Sequence, residues 1–118
     1  MSQTEPPAPK VTVAIPTYNR AAFLRQTLAG IAAQRFPREA FEVLVIDNNT
    51  RDEAVWRPVQ IHCEKLGARF KFFHVAPLSG FKAGALNYAL ERTDPQAEII
   101  AAIDSDYQVE PNWLSDLI

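Results

Sequence analysis

Short apolar runs alternate along the chain with longer stretches in which apolar residues recur every three or four positions. The short runs are rich in β-branched residues and too short for helices, so we predict strands at residues 11–17, 41–46, 69–75 and 98–103. The second run is almost wholly apolar, as expected for a strand that is covered on both faces. Strands that alternate with helices predict an α/β fold with a parallel sheet.

The stretches between the predicted strands have helical periodicity. We predict helices at residues 20–35, 52–67 and 82–92, and the start of another at residue 112. Pro58 lies within the second stretch, so that helix is expected to be interrupted or to start late. The apolar residues expected on the inner faces are Phe23, Leu24, Leu28 and Ile31 in the first helix, and Leu86, Ala89 and Leu90 in the third.

Polar residues directly follow three of the four predicted strands. Residues 17–19 follow the first strand, residues 47–48 the second, and residues 104–106 the fourth. In parallel α/β sheets, ligands bind beyond the carboxyl ends of the strands, near the point where the strand order reverses. The sequence therefore predicts a ligand site built from these three clusters.

The composition narrows the class of protein. With 118 residues, 47% of them hydrophobic and 22% charged, the chain fits one ordinary globular domain. The net charge is −2 and no basic stripe stands out, which argues against nucleic acid as a partner. Cys63 is the single cysteine, so it cannot form an intramolecular disulfide, and its helical context predicts a buried apolar side chain rather than a nucleophile.

The two ends of the chain differ from its middle. Residues 1–9 are polar and proline-rich, without the hydrophobic run of a signal peptide, so we predict a flexible lead before a domain at residues 10–118. Residues 112–118 have the pattern of a helix that is just beginning. These features predict that the chain is part of a longer protein.

Asp104 and Asp106 form the strongest candidate metal site. They lie two positions apart directly after a buried strand, so both side chains can project to the same side. Two close carboxylates repel each other unless a cation or a proton lies between them, and oxygen ligands suit Mg²⁺ or Mn²⁺. Asp47 has the same position after its own strand, where either a ligand contact or a cap of the following turn explains it.

Lys82 is a candidate for binding an anion. It lies between Gly80 and Gly84 at a predicted helix start, where backbone N–H groups and the helix dipole also favour negative charge. The spacing is not that of a P-loop, and an ordinary surface lysine is the alternative.

The histidines and large aromatic residues carry less signal. His62 and His74 have no carboxylate or cysteine partner at ligand spacing, so both are predicted to be structural or exposed. The aromatic residues predicted to belong to the core rather than to a stacking platform are Trp56, Trp113, Phe72 and Phe73.

Four segments together resemble family 2 glycosyltransferases, in the right order and spacing over about residues 10–118. Residues 13–19 resemble the opening strand and turn of the family, and residues 45–50 its second strand and acidic turn. Residues 80–87 resemble its Lys-Ala-Gly segment, and residues 104–114 its Asp-x-Asp motif with the following helix. Within the family, residues 47–50, 72–77 and 80–84 together look most similar to bacterial β-1,3-glucan and cyclic β-glucan synthases.

The resemblance implies a GT-A fold, with a mainly parallel sheet flanked by helices, that binds a nucleoside diphosphate sugar, UDP-glucose being expected. It implies that Tyr18 and its neighbours pack on the base, that Asp47 and Asn48 hydrogen-bond uracil or ribose, and that Lys82 approaches the diphosphate. Asp104 would contact the ribose or the metal's water, and Asp106 would hold Mg²⁺ or Mn²⁺. The residues assigned to the donor are Pro16, Thr17, Tyr18, Asn19, Asp47, Asn48, Lys82 and Asp104.

One departure from the family and several wider expectations follow from the same resemblance. Many members carry aspartate where this chain has Asn48. An amide oxygen can still accept from the uracil N–H, but the bond is not charge-assisted, so the expected selectivity for uracil is lower. The reaction expected of the full-length protein is inverting β-glucan synthesis onto a glycan acceptor, at the inner membrane with this domain on the cytoplasmic side. The catalytic base is expected beyond Ile118, so this chain alone is expected to be inactive. Self-association through Trp113, Leu117 and Ile118 is also expected.

Two other functions remain open on sequence grounds. A sugar nucleotidyltransferase would have a glycine- and basic-rich signature after the first strand, where this chain has residues 16–19. A non-catalytic regulatory module of receiver type, with a carboxylate Mg²⁺ site, would have an acidic pair at the same position.

Overall fold

The computed structural model describes residues 9–19 and 21–117. Residues 1–8 of the predicted lead, and Arg20 and Ile118 at the ends of predicted helices, lie outside the described residues. The strands are β1 (Val11–Thr17), β2 (Phe41–Asn48), β3 (Phe70–Val75) and β4 (Ile99–Ala102), and the helices are α1 (Ala21–Ala32), α2 (Glu53–Leu66), α3 (Phe81–Arg92) and α4 (Trp113–Leu117). A short 3₁₀ helix at Arg38–Ala40 precedes β2.

The four strands form one parallel sheet in the order β3-β2-β1-β4. The predicted α/β fold with a parallel sheet is therefore confirmed, and each strand begins and ends within two residues of its predicted bounds. The register pairs Thr17 of β1 with Asp47 of β2, and Asp47 with His74 of β3. The carboxyl ends of three strands are thus aligned along one edge.

One face of the sheet is covered by α1, α2 and α4. Its buried core consists of Val11, Val13, Ile15, Val43, Val45, Leu24, Leu28, Ile31, Val59, Cys63 and Leu114, among others. Cys63 is 1% exposed, as predicted. Burial, together with the charge of Glu64, raises the pKa of its thiol to about 12, so it remains protonated at neutral pH.

The opposite face is covered by α3. Ala85 and Ala89 of this helix pack on Ala14, Leu44 and Ile46 of the two central strands. The small alanine side chains let the helix lie close to the sheet, which fixes the position of its first turn above the strand ends.

Three details of the predicted helices are wrong. Leu90 was expected on the inner face of α3 and is 57% exposed, because Ala85 and Ala89 define that face. Phe23 was expected in the core and is 54% exposed, because Leu24, Leu28 and Ile31 fill the inner face of α1. Pro58 does not interrupt α2, which runs unbroken from Glu53 to Leu66.

No helix in the described part of the chain is long and apolar enough to cross a membrane.

A buried carboxylate holds the amino end of the sheet together. Glu42 on β2 is 1% exposed. It accepts hydrogen bonds from the Thr12 hydroxyl (2.7 Å), the Lys71 ammonium (2.9 Å) and the backbone N–H of Asp94 (2.8 Å). Burial pushes the pKa of Glu42 upward, but these hydrogen bonds and the Lys71 charge outweigh it, so the pKa lies below its ordinary value.

Candidate functional site

A cavity of about 620 Å³ opens at the carboxyl ends of the strands. The strands β2 and β4 lie on either side of β1, so the strand order reverses at β1. The end of β1, the turn after β2, the start of α3 and the loop after β4 all line the cavity. This is the position at which parallel α/β sheets bind ligands.

Seven of the nine predicted site residues line this cavity. They are Pro16, Thr17, Tyr18, Asn48, Lys82, Asp104 and Asp106. The remaining two, Asn19 and Asp47, are not among the residues that line it. Three lining residues were not predicted, namely Asn49, Phe81 and Ser105. Whether the nine predicted residues contact a donor stays a prediction, because the structure shows only their placement.

The end of β1 presents one exposed ring above a buried backbone. Thr17 is 5% exposed, and its buried hydroxyl has no hydrogen-bond partner among residues 9–19 and 21–117. Tyr18 is 56% exposed and lines the cavity. Asn19 has a φ of 54°, and its N–H donates to the Thr50 hydroxyl at 2.9 Å. The exposed Tyr18 ring is therefore available to a flat ligand, whereas Asn19 acts through its backbone.

Asp47 is buried, and both of its carboxylate oxygens are occupied. Oδ1 accepts from the Thr50 hydroxyl at 2.6 Å, and Oδ2 lies 2.7 Å from Nδ1 of His74. Of the two explanations considered for Asp47, the structure therefore shows the turn contact. No carboxylate lies at ligand spacing from His74 in the sequence, but the parallel register places His74 beside Asp47, which fits the predicted structural role.

Asn48 is the amide that faces the cavity. Its Nδ2 donates to the backbone carbonyl of Thr17 at 3.0 Å, which ties the turn after β2 to the end of β1. In this amide orientation, Oδ1 is the atom left to accept a hydrogen bond from a ligand. The next residue, Asn49, has a φ of 64°, and its side chain bonds the backbone N–H and C=O of Leu78, each at 2.9 Å.

The first turn of α3 is built around two glycines. Gly80 has a φ of 92°, a conformation that L side chains rarely adopt. At Gly84, an added Cβ would lie 1.8 Å from the carbonyl oxygen of Ser79, so only glycine fits. Between them, Phe81 has a φ of 51° and is 82% exposed. The segment therefore holds an exposed ring and the Lys82 side chain against the cavity.

The loop after β4 presents two exposed carboxylates on either side of a buried serine. The Thr27 hydroxyl of α1 donates to the carbonyl of Ser105 at 2.7 Å, which fixes the middle of the loop. Asp104 and Asp106 both face solvent. Lys82 donates to Oδ1 of Asp104 at 2.5 Å, with 59% and 63% of the two side chains exposed.

The two carboxylates suit a hard divalent cation, but they would supply only part of its coordination. Within the described residues, no group of three or more His, Cys, Asp or Glu side chains is placed to hold a metal ion. Mg²⁺ and Mn²⁺ are commonly bound by one or two carboxylates together with waters and substrate phosphates. Asp104 and Asp106 therefore fit an ion that arrives with a phosphate ligand.

The unpredicted residues gave signals of different strength. Phe81 lies directly beside Lys82 between two glycines, so its place in the cavity could have been inferred from that segment. Asn49 lies in the same polar turn as Asp47. The contact between Asp47 and His74 had a weaker signal, because it depends on the register of two strands whose contacting residues are 27 positions apart.

Residues 12–118 match the family named Glycosyl transferase family 2. The chain is 34% identical over 110 residues to a probable glucomannan 4-beta-mannosyltransferase 7 from Oryza sativa subsp. japonica, covering 90% of this chain and 19% of that protein. It is 30% identical over 107 residues to the poly(ribitol-phosphate) beta-N-acetylglucosaminyltransferase TarS of Staphylococcus aureus, covering 91% of this chain and 18% of that protein. The chain thus spans about a fifth of the length of these relatives.

Solved structures of two glycosyltransferases share the fold. The structure of S. aureus TarS in complex with UDP superimposes with a TM-score of 0.79 and 27% identity, covering 92% of this chain and 30% of that one. The mannosyltransferase PcManGT from Pyrobaculum calidifontis, in complex with GDP-Man and Mn²⁺, superimposes with a TM-score of 0.69 and 32% identity, covering 86% of this chain and 28% of that one. These likenesses agree with the expected GT-A fold, and the family match extends over nearly the whole described chain. The chain belongs to glycosyl transferase family 2.

Proposed function

We propose that the cavity binds the nucleotide part of a nucleoside diphosphate sugar, and that the whole protein transfers that sugar to a glycan. One observation carries the proposal. A single cavity combines an exposed ring and an amide at the ends of β1 and β2 with a lysine and two carboxylates from α3 and the loop after β4. The ends of β2 and β4 are two strand spacings apart, about 10 Å, which suits a ligand with a base at one end and phosphates at the other.

UDP is the nucleotide that we propose, with glucose as the sugar and a β-glucan as the product. The likeness to a UDP complex supports the nucleotide, and Oδ1 of Asn48 could accept from the uracil N–H. The sugar and the product rest on the resemblance to glucan synthases alone. The relatives named above carry mannosyl- and N-acetylglucosaminyltransferase names, so GDP-mannose and UDP-GlcNAc are the competing donors.

Lys82 is the residue that we propose to meet the diphosphate. Negative charge builds on the phosphate oxygens as the nucleoside diphosphate departs, and a nearby ammonium offsets that charge. Lys82 donates to Asp104, but both side chains are more than half exposed. Such a pair contributes little to stability, so breaking it to let the ammonium bind a diphosphate costs little free energy.

Asp104 and Asp106 are proposed to hold Mg²⁺ or Mn²⁺ against the diphosphate. The ion, when bound, would stabilise the negative charge on the phosphate oxygens as a Lewis acid. When the diphosphate binds the Lys82 ammonium, Asp104 would be released from it. The ammonium and the metal ion would then not compete for the same carboxylate oxygen of Asp104.

The inverting transfer also needs a general base for the acceptor hydroxyl. We assign no residue of this chain to that role and place the base and the acceptor site elsewhere in the full-length protein. We further propose that the full-length protein acts at the inner membrane, with this domain on the cytoplasmic side. Self-association of the chain remains a prediction. Leu117 is 42% exposed, Trp113 packs partly against the core, and Ile118 lies outside the described residues.

The two other functions considered gain no support. A nucleotidyltransferase and a receiver-type module would each need a different turn after the first strand. The family match covers that turn as well as the other strand ends. Transfer from a sugar nucleotide is therefore the function that we propose.

Titration calorimetry with UDP, UDP-glucose, GDP and GDP-mannose, each with Mn²⁺ and with EDTA, tests the proposal. We expect UDP to bind more tightly with Mn²⁺. Asp106→Asn should remove most of that gain, whereas Asp116→Asn, at an exposed carboxylate on α4, should not. Absence of binding to every nucleotide would contradict the proposal, and equal affinity in EDTA would contradict the metal role. Tighter binding of GDP would contradict the choice of UDP.

Incubation of the chain with UDP-glucose and a β-glucan oligosaccharide tests the placement of the base. We expect no chain extension. Measurable elongation would show that the general base lies within residues 1–118.

A further inference from the structure

His74 makes a contact with Asp47 that the proposed chemistry does not use. The two residues face each other in the parallel register of β2 and β3, and His74 Nδ1 lies 2.7 Å from Asp47 Oδ2. The Asp47 side chain is 5% exposed and that of His74 is 24% exposed. We propose that His74 is a positioning residue that holds the base-binding end of the cavity in shape through Asp47. This inference rests on the proposed function, since it concerns the same nucleotide site.

The contact continues from Asp47 into the two turns at the base end of the cavity. Oδ1 of Asp47 accepts from the Thr50 hydroxyl at 2.6 Å, and the oxygen of that hydroxyl accepts from the N–H of Asn19 at 2.9 Å. Asn19 directly follows Tyr18, and Asn48 directly follows Asp47. The chain of contacts from His74 therefore ends beside the exposed ring and the amide that line the cavity.

The ring of His74 is itself held in place. Trp56 of α2 stacks on it with the ring centroids 4.1 Å apart and an interplanar angle of 9°. On Trp56 lies the guanidinium of Arg57, 4.7 Å from the ring centroid. Because the carboxylate of Asp47 accepts this hydrogen bond, Nδ1 of His74 must carry a proton, whether the imidazole is neutral or charged. The stack fixes the ring plane, and the carboxylate fixes the tautomer.

Removal of the imidazole would leave a buried carboxylate oxygen without a donor. A buried oxygen without a donor is costly, so the structure around it is expected to rearrange, and the turn after β2 directly follows Asp47. The turn would then no longer present Asn48 in one arrangement. Contacts to the base would be lost, while Lys82, Asp104 and Asp106, which no described contact joins to His74, would keep theirs.

Two substitutions at His74 separate positioning from simple support of the fold. His74→Leu removes the donor at similar volume, whereas His74→Asn keeps an N–H donor the same number of bonds from Cβ as Nδ1. Val59→Ala, at a buried residue of α2 outside this network, serves as a control for lost stability. The affinities for UDP and for pyrophosphate, both with Mn²⁺, are measured by calorimetry, and melting temperatures are recorded for each variant.

We expect His74→Leu to weaken UDP about five- to tenfold, as for the loss of one hydrogen bond, and to leave pyrophosphate unchanged. His74→Asn should recover most of the UDP affinity, and Val59→Ala should leave it intact. Unchanged UDP affinity in His74→Leu, an equal loss for both ligands, or an equal loss in Val59→Ala would each overturn the positioning role. Failure of the unaltered chain to bind UDP would instead overturn the proposed function, and the role of His74 with it.

Discussion

The carboxylates of β2 and those that follow β4 lie in opposite environments. Glu42 and Asp47, at the two ends of β2, are 1% and 3% exposed, and each accepts at least two hydrogen bonds from the protein. Asp104 and Asp106 are exposed, and among residues 9–19 and 21–117 their one side-chain hydrogen bond joins Lys82 to Asp104. The first pair holds the fold together, whereas the second pair has free oxygens to offer. A carboxylate therefore shows its role through its partners more than through its place at a strand end.

The same contrast divides the cavity into two parts. The base end is bounded by turns whose polar groups bond one another, so its shape is set before a ligand binds. The phosphate end has exposed charges in a single weak pair, which a charged ligand can rearrange. We therefore expect loss of a buried carboxylate at the base end to lower stability, and loss of an exposed charge at the phosphate end to change mainly ligand binding.

The largest expected difference is in the stability of two aspartate variants. Asp47→Ala leaves the Thr50 hydroxyl and the His74 N–H without their acceptor in a buried place, so it should lower the free energy of unfolding by about 2–3 kcal/mol. Asp104→Ala should change it by less than about 0.5 kcal/mol, as for an ordinary exposed site. Urea unfolding followed by circular dichroism measures both. Equal losses in the two variants would remove the distinction between the two pairs.

The next difference concerns binding at the phosphate end. Lys82→Ala should weaken UDP by about 1.5–3 kcal/mol, the range for a hydrogen bond to a charged group, and should leave uridine unaffected. The control is Lys65→Ala, at an exposed lysine of α2 outside this cavity. Calorimetric titration gives both affinities. If UDP and uridine lose affinity equally, the lysine acts on the fold and not on the phosphates.

The sequence was sufficient to predict the parts of this arrangement that depend on local pattern. Apolar runs set the strands, and the polar residues that follow them met at one edge because the sheet is parallel. It was insufficient where a contact depends on packing between distant elements. The pairing of His74 with Asp47 needs the β2–β3 register, and the exposure of Phe23 and Leu90 needs the rotation of each helix on the sheet.

A smaller effect is expected on the free energy of unfolding in acid, where a buried carboxylate should lose a stabilising contribution that an exposed one lacks. The pKa of Glu42 lies below its ordinary value in the folded state, so its contribution to stability is fully present at neutral pH. That contribution is lost as the pH falls from near 4.5 through the lower pKa of the folded state. Glu42→Gln should therefore be less stable than the unaltered chain at pH 7, and the gap should close in acid.

The control for this titration is Glu53→Gln, at an exposed carboxylate paired with Arg57. Urea midpoints at several pH values measure all three proteins. A gap between Glu42→Gln and the unaltered chain that stays constant down to the acid transition would show that the Glu42 charge does not stabilise the fold.

The smallest expected effect has the opposite sign and concerns Phe81 at the phosphate end. A phenylalanine with a φ of 51° has a strained backbone, and at 82% exposure its ring gains little from packing. Phe81→Gly should therefore raise the free energy of unfolding slightly, by about 0.5 kcal/mol, because the relief of strain exceeds the added entropy of the unfolded chain. Phe23→Gly is the matched control, since this residue is 54% exposed within α1, where glycine should cost about 1 kcal/mol. If both variants lose stability equally, Phe81 is not strained. If Phe81→Gly gains stability and also weakens UDP binding, the strain is retained for the ligand.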